Sequence, residues 1–201
     1  MEYYTVNLSA RTISFRRSTQ ARLLWLAMLT SLLLLTFFSI RVIQGRAEVK
    51  SGQLPKTTVA RQIFDTTDGN KFSLEATRGK VIVMQFFGTW CGYSKRQVIT
   101  NNKLIESGKS DELQVVGMAV KDPRSNSQAV KQFIADQKVG YPVVSEVADK
   151  YFVDFVDSRD VSVPQTLIYG RDGRLVAHYL GYNQQVGADI EQKVKNELAK
   201  K

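Results

Sequence analysis

Hydrophobic and polar positions divide the chain into an apolar segment and a mixed domain. Residues 23–40 form a run of 18 residues without a charge, bracketed by Arg22 and Arg41. A helix of that length rises about 27 Å, close to the hydrocarbon thickness of a bilayer. The run is apolar on every side of such a helix, which suits lipid better than a soluble core. The pattern therefore predicts one transmembrane helix.

The segments around this run set the predicted domain organisation. Residues 1–22 form a basic tail, 23–40 the anchor, 41–58 a linker and 59–201 a folded domain. A cleaved signal peptide is the alternative to an anchor, because Gly45-Arg46-Ala47 resembles a small-x-small cleavage site. The apolar run exceeds the usual signal-peptide core, which favours the anchor. Basic residues are balanced on its two sides, so the positive-inside rule does not decide the orientation.

Beyond residue 58 the periodicity changes to that of an α/β domain. Polar residues at 66–71 between apolar positions predict a hairpin, and residues 81–87 are an apolar run typical of a central strand. On the helix that follows, the spacing predicts that Val98, Ile99 and Ile105 face inward. The remaining pattern gives helices at 92–105, 127–138 and 186–198, a short helix at 150–155, and strands at 113–120, 166–169 and 175–180. The order is β-hairpin, β, α, β, α, β, β, α.

Composition and charge exclude several classes of function. The formal net charge is +9, and residues 1–46, with six Arg and one Glu, contribute +5 of it. Because the charge is concentrated beside the apolar run and no basic recognition motif is present, we expect no nucleic-acid partner. The chain has one cysteine and one histidine, His178, which is expected to be structural. These counts exclude a disulfide within the chain and a cysteine-rich zinc site, and we expect neither a metal nor another cofactor.

The one cysteine lies where a strand gives way to a helix, in the motif Trp90-Cys91-Gly92-Tyr93-Ser94. A cysteine at a helix N-terminus meets free backbone N–H groups and the positive end of the helix dipole, which favour a thiolate. Lys95 and Arg96 add positive charge, and the Ser94 hydroxyl is expected to donate a hydrogen bond to the sulfur. Cys91 is therefore the candidate nucleophile. The alternative role for a lone cysteine is that of an inert core residue.

Three stretches of the domain carry a resemblance to a known family. They are residues 79–91, residues 161–169 around Pro164, and residues 171–176 followed by Gly181. Together they resemble the membrane-anchored, TlpA/ResA-type (redoxin/AhpC-TSA-like) thioredoxin-like proteins, over roughly residues 59–198. The resemblance implies a thioredoxin-like α/β sandwich with an N-terminal hairpin, preceded here by the transmembrane helix. It also implies a single-pass protein of the cytoplasmic membrane whose C-terminal domain is extracytoplasmic, on the periplasmic side.

The resemblance assigns expected roles to individual residues. In the family the proline that matches Pro164 is cis and faces the cysteine, and the backbone of the residue before it, here Val163, pairs with a substrate strand. The expected catalytic residues are Cys91 and Ser94. The expected substrate surface consists of Trp90, Gly92, Tyr93, Val163 and Pro164. The expected partners are client proteins that carry disulfides or thiols.

The chain departs from the family pattern at the residues that resolve the mixed disulfide, which is the bond between the nucleophilic cysteine and a client sulfur. Ser94 stands where the family motif Cys-x-x-Cys has its second cysteine, and Gln85 and Gln97 stand where relatives carry acids. In the family these acids help move protons to and from the second cysteine. Their joint loss favours a natural monothiol protein over the alternative, an engineered replacement of the cysteine at position 94. The mixed disulfide of a monothiol protein needs an external thiol such as glutathione or a partner protein.

Three hypotheses for function remain open on the sequence. The first is a membrane-tethered thiol–disulfide oxidoreductase or isomerase with a single nucleophilic cysteine. The second is a degenerate thioredoxin-fold module that holds client proteins without turnover. The third is glutathione or iron–sulfur handling, because Cys91-Gly92-Tyr93-Ser94 is similar to the Cys-Gly-Phe-Ser motif of monothiol glutaredoxins.

Overall fold

A five-stranded mixed sheet forms the centre of the unit made by residues 46–201. A computed structural model of the chain describes residues 28–31, 52–107, 111–156 and 160–200. The strands are β1 (Phe64–Asp65), β2 (Lys71–Phe72), β3 (Val81–Phe87), β4 (Leu113–Val120), β5 (Val143–Val147), β6 (Gln165–Tyr169) and β7 (Leu175–Leu180). The helices are α1 (Thr57–Ala60), α2 (Gly92–Glu106), α3 (Ser127–Gln137), α4 (Asp149–Val156) and α5 (Gln184–Leu198), with a 3₁₀ helix at Pro123–Ser125.

The sheet has the strand order β5-β4-β3-β6-β7. β3 and β4 are parallel, as are β4 and β5, whereas β6 runs antiparallel to both β3 and β7. The hairpin of β1 and β2 is separate and pairs Phe64 with Phe72. β3 is buried along its whole length, because helices cover both faces of the sheet at its centre. This is the thioredoxin-like α/β architecture that the sequence predicts.

Side chains of β3 alternate between two hydrophobic cores, one on each face of the sheet. Ile82, Met84 and Phe86 pack with residues of the hairpin, α1 and α4. Val81, Val83 and Phe87 pack on the other face with residues of α2, α3 and α5. On that second face Val98 and Leu104 anchor α2 to the sheet. The start of α2, where Cys91 lies, is thereby fixed relative to the strands.

The predicted order of elements lacks one strand. β5 was not predicted, because it is a five-residue edge strand whose middle positions, Ser145 and Glu146, are polar and only partly covered. Its apolar residues pack on both sides of the sheet, so it carries no clear alternating pattern. The other predicted strands and helices are confirmed to within two residues at each end, whereas α1 and the 3₁₀ helix were not predicted.

The prediction that Ile99 faces inward is wrong. Ile99 is 62% exposed, whereas its neighbour Val98 is buried and Ile105 is partly buried. Successive residues of a helix point about 100° apart, so the burial of Val98 against the sheet turns Ile99 outward. Ile99 instead lines a groove between α2 and α5.

The structure describes part of the predicted linker and part of the predicted anchor. The N–H of Gly52 donates to the carbonyl of Leu175, and the N–H of Leu175 donates to the carbonyl of Gln53, both over 2.8 Å. The end of the predicted linker is thus bound to the domain through backbone hydrogen bonds. Residues 28–31 are helical, and the rest of the predicted anchor, residues 23–40, lies outside the described residues. None of the described helices combines the length and the hydropathy that crossing a bilayer requires.

Candidate active site

The turn after β3 brings Cys91 to the start of α2. The N–H of Cys91 donates to the carbonyl of Gly88 over 3.0 Å. Glycine is required at position 88, because a Cβ atom there would lie 2.7 Å from the ring of Trp90. Cys91 is the N-cap residue of α2 and is half-buried. Its side chain therefore lies at the helix end that carries free N–H groups.

The loop before β6 faces Cys91 across the site. The Cys91 thiol donates to the carbonyl oxygen of Val163, with Sγ 3.4 Å from that oxygen. The Val163–Pro164 peptide bond is cis, which confirms the prediction. The carbonyl of Pro164 accepts a hydrogen bond from the N–H of Gly181 over 2.8 Å. Cys91, the Pro164 loop and the beginning of the β7–α5 loop are therefore neighbours on one surface.

Trp90 is held in place by the loop that contains the 3₁₀ helix. The guanidinium of Arg124 lies 4.0 Å from the centre of the Trp90 ring, within the range of cation–π attraction. Asp122 accepts two hydrogen bonds from this guanidinium, each 2.9 Å long, and this pairing with Arg124 lowers the pKa of Asp122 to about 2. The N–H of Thr89 donates to the hydroxyl of Ser125 over 3.0 Å. The loop thus orients both residues that precede Cys91.

Gly92 and Tyr93 form the exposed rim of the site. Tyr93 is 54% exposed, and the guanidinium of Arg96 lies 4.4 Å from the centre of its ring. A Cβ atom at Gly92 would meet open space. Trp90 and Val163 are half-buried, whereas Pro164 is buried. The five residues predicted as a substrate surface therefore border Cys91 either along the chain or across the Val163 contact.

The Ser94 hydroxyl makes no hydrogen bond to the sulfur of Cys91. Its side chain is fully buried, and its hydroxyl has no hydrogen-bond partner among the residues that the structure describes. The predicted hydrogen bond from Ser94 to Cys91 is therefore absent. The first turn of α2 buries this side chain, and Nε2 of Gln85 on β3 donates to the backbone carbonyl of Ser94 over 3.5 Å.

An uncharged polar network surrounds Gln85 behind the site. Oε1 of Gln85 accepts from Nδ2 of Asn101 over 2.7 Å and from the hydroxyl of Tyr141 over 3.3 Å. The Tyr141 hydroxyl is protonated at neutral pH, as in any tyrosine, and burial raises its pKa further, to about 12. Nearby, Nε2 of Gln97 donates to the hydroxyl of Thr166. Among the residues that the structure describes, the groups bonded to one another in the region that would protonate a second thiol are thus amides and hydroxyls, without a carboxyl group.

Three members of this network were missed by the sequence analysis, namely Asn101, Tyr141 and Thr166. Asn101 had a detectable signal, because Ser94, Gln97 and Asn101 recur at intervals of three and four residues and so share one face of α2. All three are fully buried. A search for a polar stripe on the buried face of the helix would have found Asn101. Tyr141 and Thr166 gave no such signal, because their partners lie on other elements.

Gln165 and His178 support the Pro164 loop from behind. Nε2 of Gln165 donates to the carbonyls of Asp160 and Ser162, over 2.8 and 3.0 Å. Its Oε1 lies 2.7 Å from Nε2 of His178, which therefore acts as the donor. Burial lowers the pKa of His178, although Asp160 opposes the effect. His178 thus holds the loop, as predicted for a structural histidine.

Within the described ranges, no three His, Cys, Asp or Glu side chains gather in a group able to hold a metal ion.

Several known proteins are similar to this chain. Thiol-disulfide oxidoreductase ResA of Bacillus cereus (strain ZK / E33L) is 25% identical over 121 residues, which cover 59% of this chain and 66% of that protein's own length. Thioredoxin-like protein YneN of Bacillus subtilis is 22% identical over 85% of this chain and 96% of its own length. A solution structure of a putative protein disulfide isomerase from Bacteroides thetaiotaomicron superposes with a TM-score of 0.64 at 22% identity, covering 76% of this chain and 92% of the other.

These similarities agree with the family to which the sequence pattern points. The structural likeness supports the thioredoxin-like fold. The AhpC/TSA family model matches residues 52–178, which include the Cys91 turn, the buried network and the cis Pro164 loop. With well over half of its length matched, the chain belongs to the AhpC/TSA family.

Proposed function

We propose that the chain is a thiol–disulfide oxidoreductase that acts through a single nucleophile, Cys91. The observation that carries this proposal is the position of the thiol, half-exposed at the N-cap of α2 and 3.4 Å from the carbonyl that precedes cis Pro164. The chain has no other cysteine. The similarity to ResA proteins of Bacillus cereus and Bacillus subtilis, which are named as thiol-disulfide oxidoreductases, supports the same class of chemistry.

The first step is an exchange between Cys91 and a client disulfide. The thiolate of Cys91 attacks one client sulfur, a new bond forms from Sγ to that sulfur, and the client disulfide bond breaks. The second client sulfur leaves as a thiolate and takes a proton from solvent. The products are a mixed disulfide on Cys91 and one free client thiol.

The surface around Cys91 is suited to an extended client segment. The Val163 backbone lies at hydrogen-bonding distance from the nucleophile, so a client strand that pairs with it would bring its own sulfur to Cys91. Trp90 is fixed by Arg124, and Tyr93 is exposed on the other side of Cys91. We assign substrate contact to these residues together with Gly92 and Pro164.

Resolution of the mixed disulfide requires a thiol from outside the chain. The hydroxyl of Ser94 is a weak acid and a poor nucleophile towards sulfur. The amides of Gln85 and Gln97 do not ionise at neutral pH, so neither can act as a general acid or base. An external thiolate, from glutathione or a partner protein, attacks Sγ of Cys91 and releases the client as a thiol. A second external thiol then attacks the resulting adduct and regenerates Cys91. The client disulfide is reduced, and two external thiols become one disulfide.

One observation favours a second candidate, a binding module without turnover. Every position behind Cys91 that would hold a resolving thiol or an acid is an amide or a hydroxyl. Such a domain would keep the client-binding surface and bind clients without thiol–disulfide exchange. The glutaredoxin-like hypothesis gains no support from the matched relatives, which include ResA proteins.

The cellular setting belongs to the same proposal. The charge-free run at residues 23–40 supports a single membrane anchor, and the resemblance to TlpA/ResA-type proteins supports an extracytoplasmic domain. In that setting client cysteines are oxidised more often than in the cytosol.

The experiment that tests the enzymatic proposal is adduct formation with a model protein disulfide. Intact-mass measurement should show one client joined to the full chain, and reduction should remove it. The control is Cys91→Ala, which should give no adduct. An unmodified wild-type chain in excess disulfide would contradict the proposal.

A further inference from the structure

A groove lies on the surface between α2 and α5, the helix that begins next to Cys91 forming one of its walls. It encloses about 560 Å³, and its walls include Tyr93, Arg96 and Lys103 from α2 and Tyr182 and Glu191 from the opposite side. Tyr93 stands two residues after Cys91. Tyr182 follows Gly181, whose N–H is bound to the carbonyl of Pro164. Two lining residues of the groove therefore lie one or two positions along the chain from residues that surround the nucleophile.

The floor of the groove has a defined shape. The hydroxyls of Thr100 on α2 and Tyr182 lie 2.9 Å apart and form a hydrogen bond between the two walls. A Cβ atom at Gly187 would lie 2.8 Å from the Tyr182 hydroxyl oxygen and 3.0 Å from Oγ1 of Thr100. Glycine at this position thus leaves room for the bond. Beside it Ile99 is 62% exposed, which gives the groove an apolar surface.

The charged groups of the groove form no salt bridge with one another or with other charged side chains of the described residues. Arg96 and Lys103 line one wall, and Glu191 lines the other. Arg96 contacts the ring of Tyr93, and no carboxylate of the described chain forms a salt bridge with Arg96 or Lys103. The groove therefore offers two cations and one acid to a ligand, together with exposed aromatic and aliphatic side chains.

We propose that this groove binds the client segment next to the reactive client cysteine, and that it favours segments with acidic side chains and an apolar residue. The proposal rests on the proposed function only in requiring a client at Cys91. Along the axis of α2, Arg96 lies roughly 7 Å and Lys103 roughly 18 Å beyond Cys91. An extended client advances about 3.4 Å per residue, so acids about two and five residues from its cysteine would reach these cations. Glu191 weakens this attraction and limits it to segments that approach the α2 wall.

The test uses synthetic peptides whose single cysteine is activated as a mixed disulfide. One pair carries Glu two and five residues after the cysteine or Gln at the same places, and a second pair carries them before it. The rate of exchange with Cys91 of the full chain should be about two- to fivefold higher for a Glu peptide than for its Gln partner at low salt. The preference should fall with added salt, because charges at this distance are screened.

Three variants assign the preference to the groove. Lys103→Gln should remove much of it, and Glu191→Gln should increase it. Lys195→Gln is the matched control, because this exposed lysine of α5 lies outside the groove and its loss changes the net charge equally. All variants should react alike with the Gln peptides.

The outcomes separate this proposal from the proposed function. Equal rates for Glu and Gln peptides in both directions would overturn the groove proposal and leave the oxidoreductase intact. If no peptide reacts, Cys91→Ala tests the groove alone, through binding of the Glu peptide measured by fluorescence polarisation. Loss of that binding preference in Lys195→Gln as well as Lys103→Gln would also contradict the proposal. A rate that saturates with glutathione and depends on Lys103, without a peptide preference, would assign the groove to the resolving thiol instead.

Discussion

At the scale of single residues, resolution of the mixed disulfide depends on residue 94, three positions after the nucleophile Cys91. Ser94 buries a hydroxyl that has no hydrogen-bond partner among the described residues, an arrangement that costs about 1–3 kcal/mol. We expect Ser94→Cys to fold at least as stably as wild type, because a thiol is less polar and behaves as a small hydrophobe. The variant should also close a disulfide with Cys91 and reduce a client in one turnover without external thiol. The reaction should be slow, since Gln85 and Gln97 supply no acid.

Ser94→Ala is the matched control for this prediction. It removes the unpaired hydroxyl without adding a thiol, so it should gain stability and remain unable to resolve its own adduct. Stability is measured by urea unfolding, and single-turnover reduction by the appearance of free client thiols. Equal single-turnover reduction by Ser94→Cys and Ser94→Ala would contradict the prediction, because it would show that a thiol at position 94 does not resolve the mixed disulfide on Cys91.

Gly88 gives a second prediction at this scale. A Cβ atom at Gly88 would lie 2.7 Å from the Trp90 ring, so Gly88→Ala must displace that ring or the turn. We expect a loss of about 1–3 kcal/mol in the free energy of unfolding, typical of overpacking, and slower adduct formation at Cys91. Gly92→Ala is the control for stability, because a Cβ there meets open space. Equal stability of the two variants in urea unfolding would contradict the account of the turn.

At the scale of elements, the sequence predicts best where one pattern decides the structure. β3 and α2 were predicted within one residue, because an uninterrupted apolar strand and a helix with an apolar stripe admit few alternatives. β5 escaped prediction, since an edge strand with polar central residues resembles a loop. Ile99 was misplaced for a related reason: two adjacent aliphatic residues on a helix cannot both face the sheet, and spacing alone does not say which one does.

The residues of the candidate site likewise fall into those that the sequence predicts and those that it does not. Cys91 and Pro164 lie in motifs that are contiguous in sequence, so both were predicted, and the Val163 contact brings them together. The buried network was not predicted, because the Gln85–Tyr141 bond joins residues 56 positions apart on different elements. The inward position of Ser94 follows from the orientation of α2 on the sheet. Only tertiary packing fixes that orientation.

The β6–β7 pair supplies a prediction about pH. Burial lowers the pKa of His178, so the folded protein binds a proton there less readily than the unfolded chain. The contribution of this group to stability is fully present above the unfolded value of about 6.5 and is lost as pH falls below it. We expect the free energy of unfolding to decrease from pH 7.5 to pH 5.5. His178→Gln should reduce this decrease.

NMR provides an independent check of this prediction, because His178 is the only histidine in the chain. Its ring resonances should titrate with a midpoint below about 6.5. A midpoint above that value would contradict the effect of burial. In that case the loop of Gln165 would gain, and not lose, stability as the pH falls.

At the scale of the whole molecule, we expect residues 23–40 to hold the protein in the membrane. The full chain should remain in the membrane fraction through high-salt and carbonate washing, because hydrocarbon burial is insensitive to both. Replacing the segment's leucines by serine should release the protein. A reporter fused after Lys201 should be active only outside the cytoplasm. A soluble wild-type species beginning near Glu48, or a cytoplasmic reporter signal, would contradict the proposed anchoring or orientation.

The central claim is that one cysteine performs the exchange and that another molecule must complete it. The most direct measurement is the number of client disulfides reduced per full-length chain, starting from the reduced protein, with and without glutathione. Without glutathione we expect the wild-type chain to stop at one stable mixed disulfide on Cys91 and to release no fully reduced client. With glutathione the adduct should disappear and reduction should continue over many cycles, whereas Cys91→Ala should match the uncatalysed reaction. Repeated reduction by wild type in the absence of any external thiol would contradict the account.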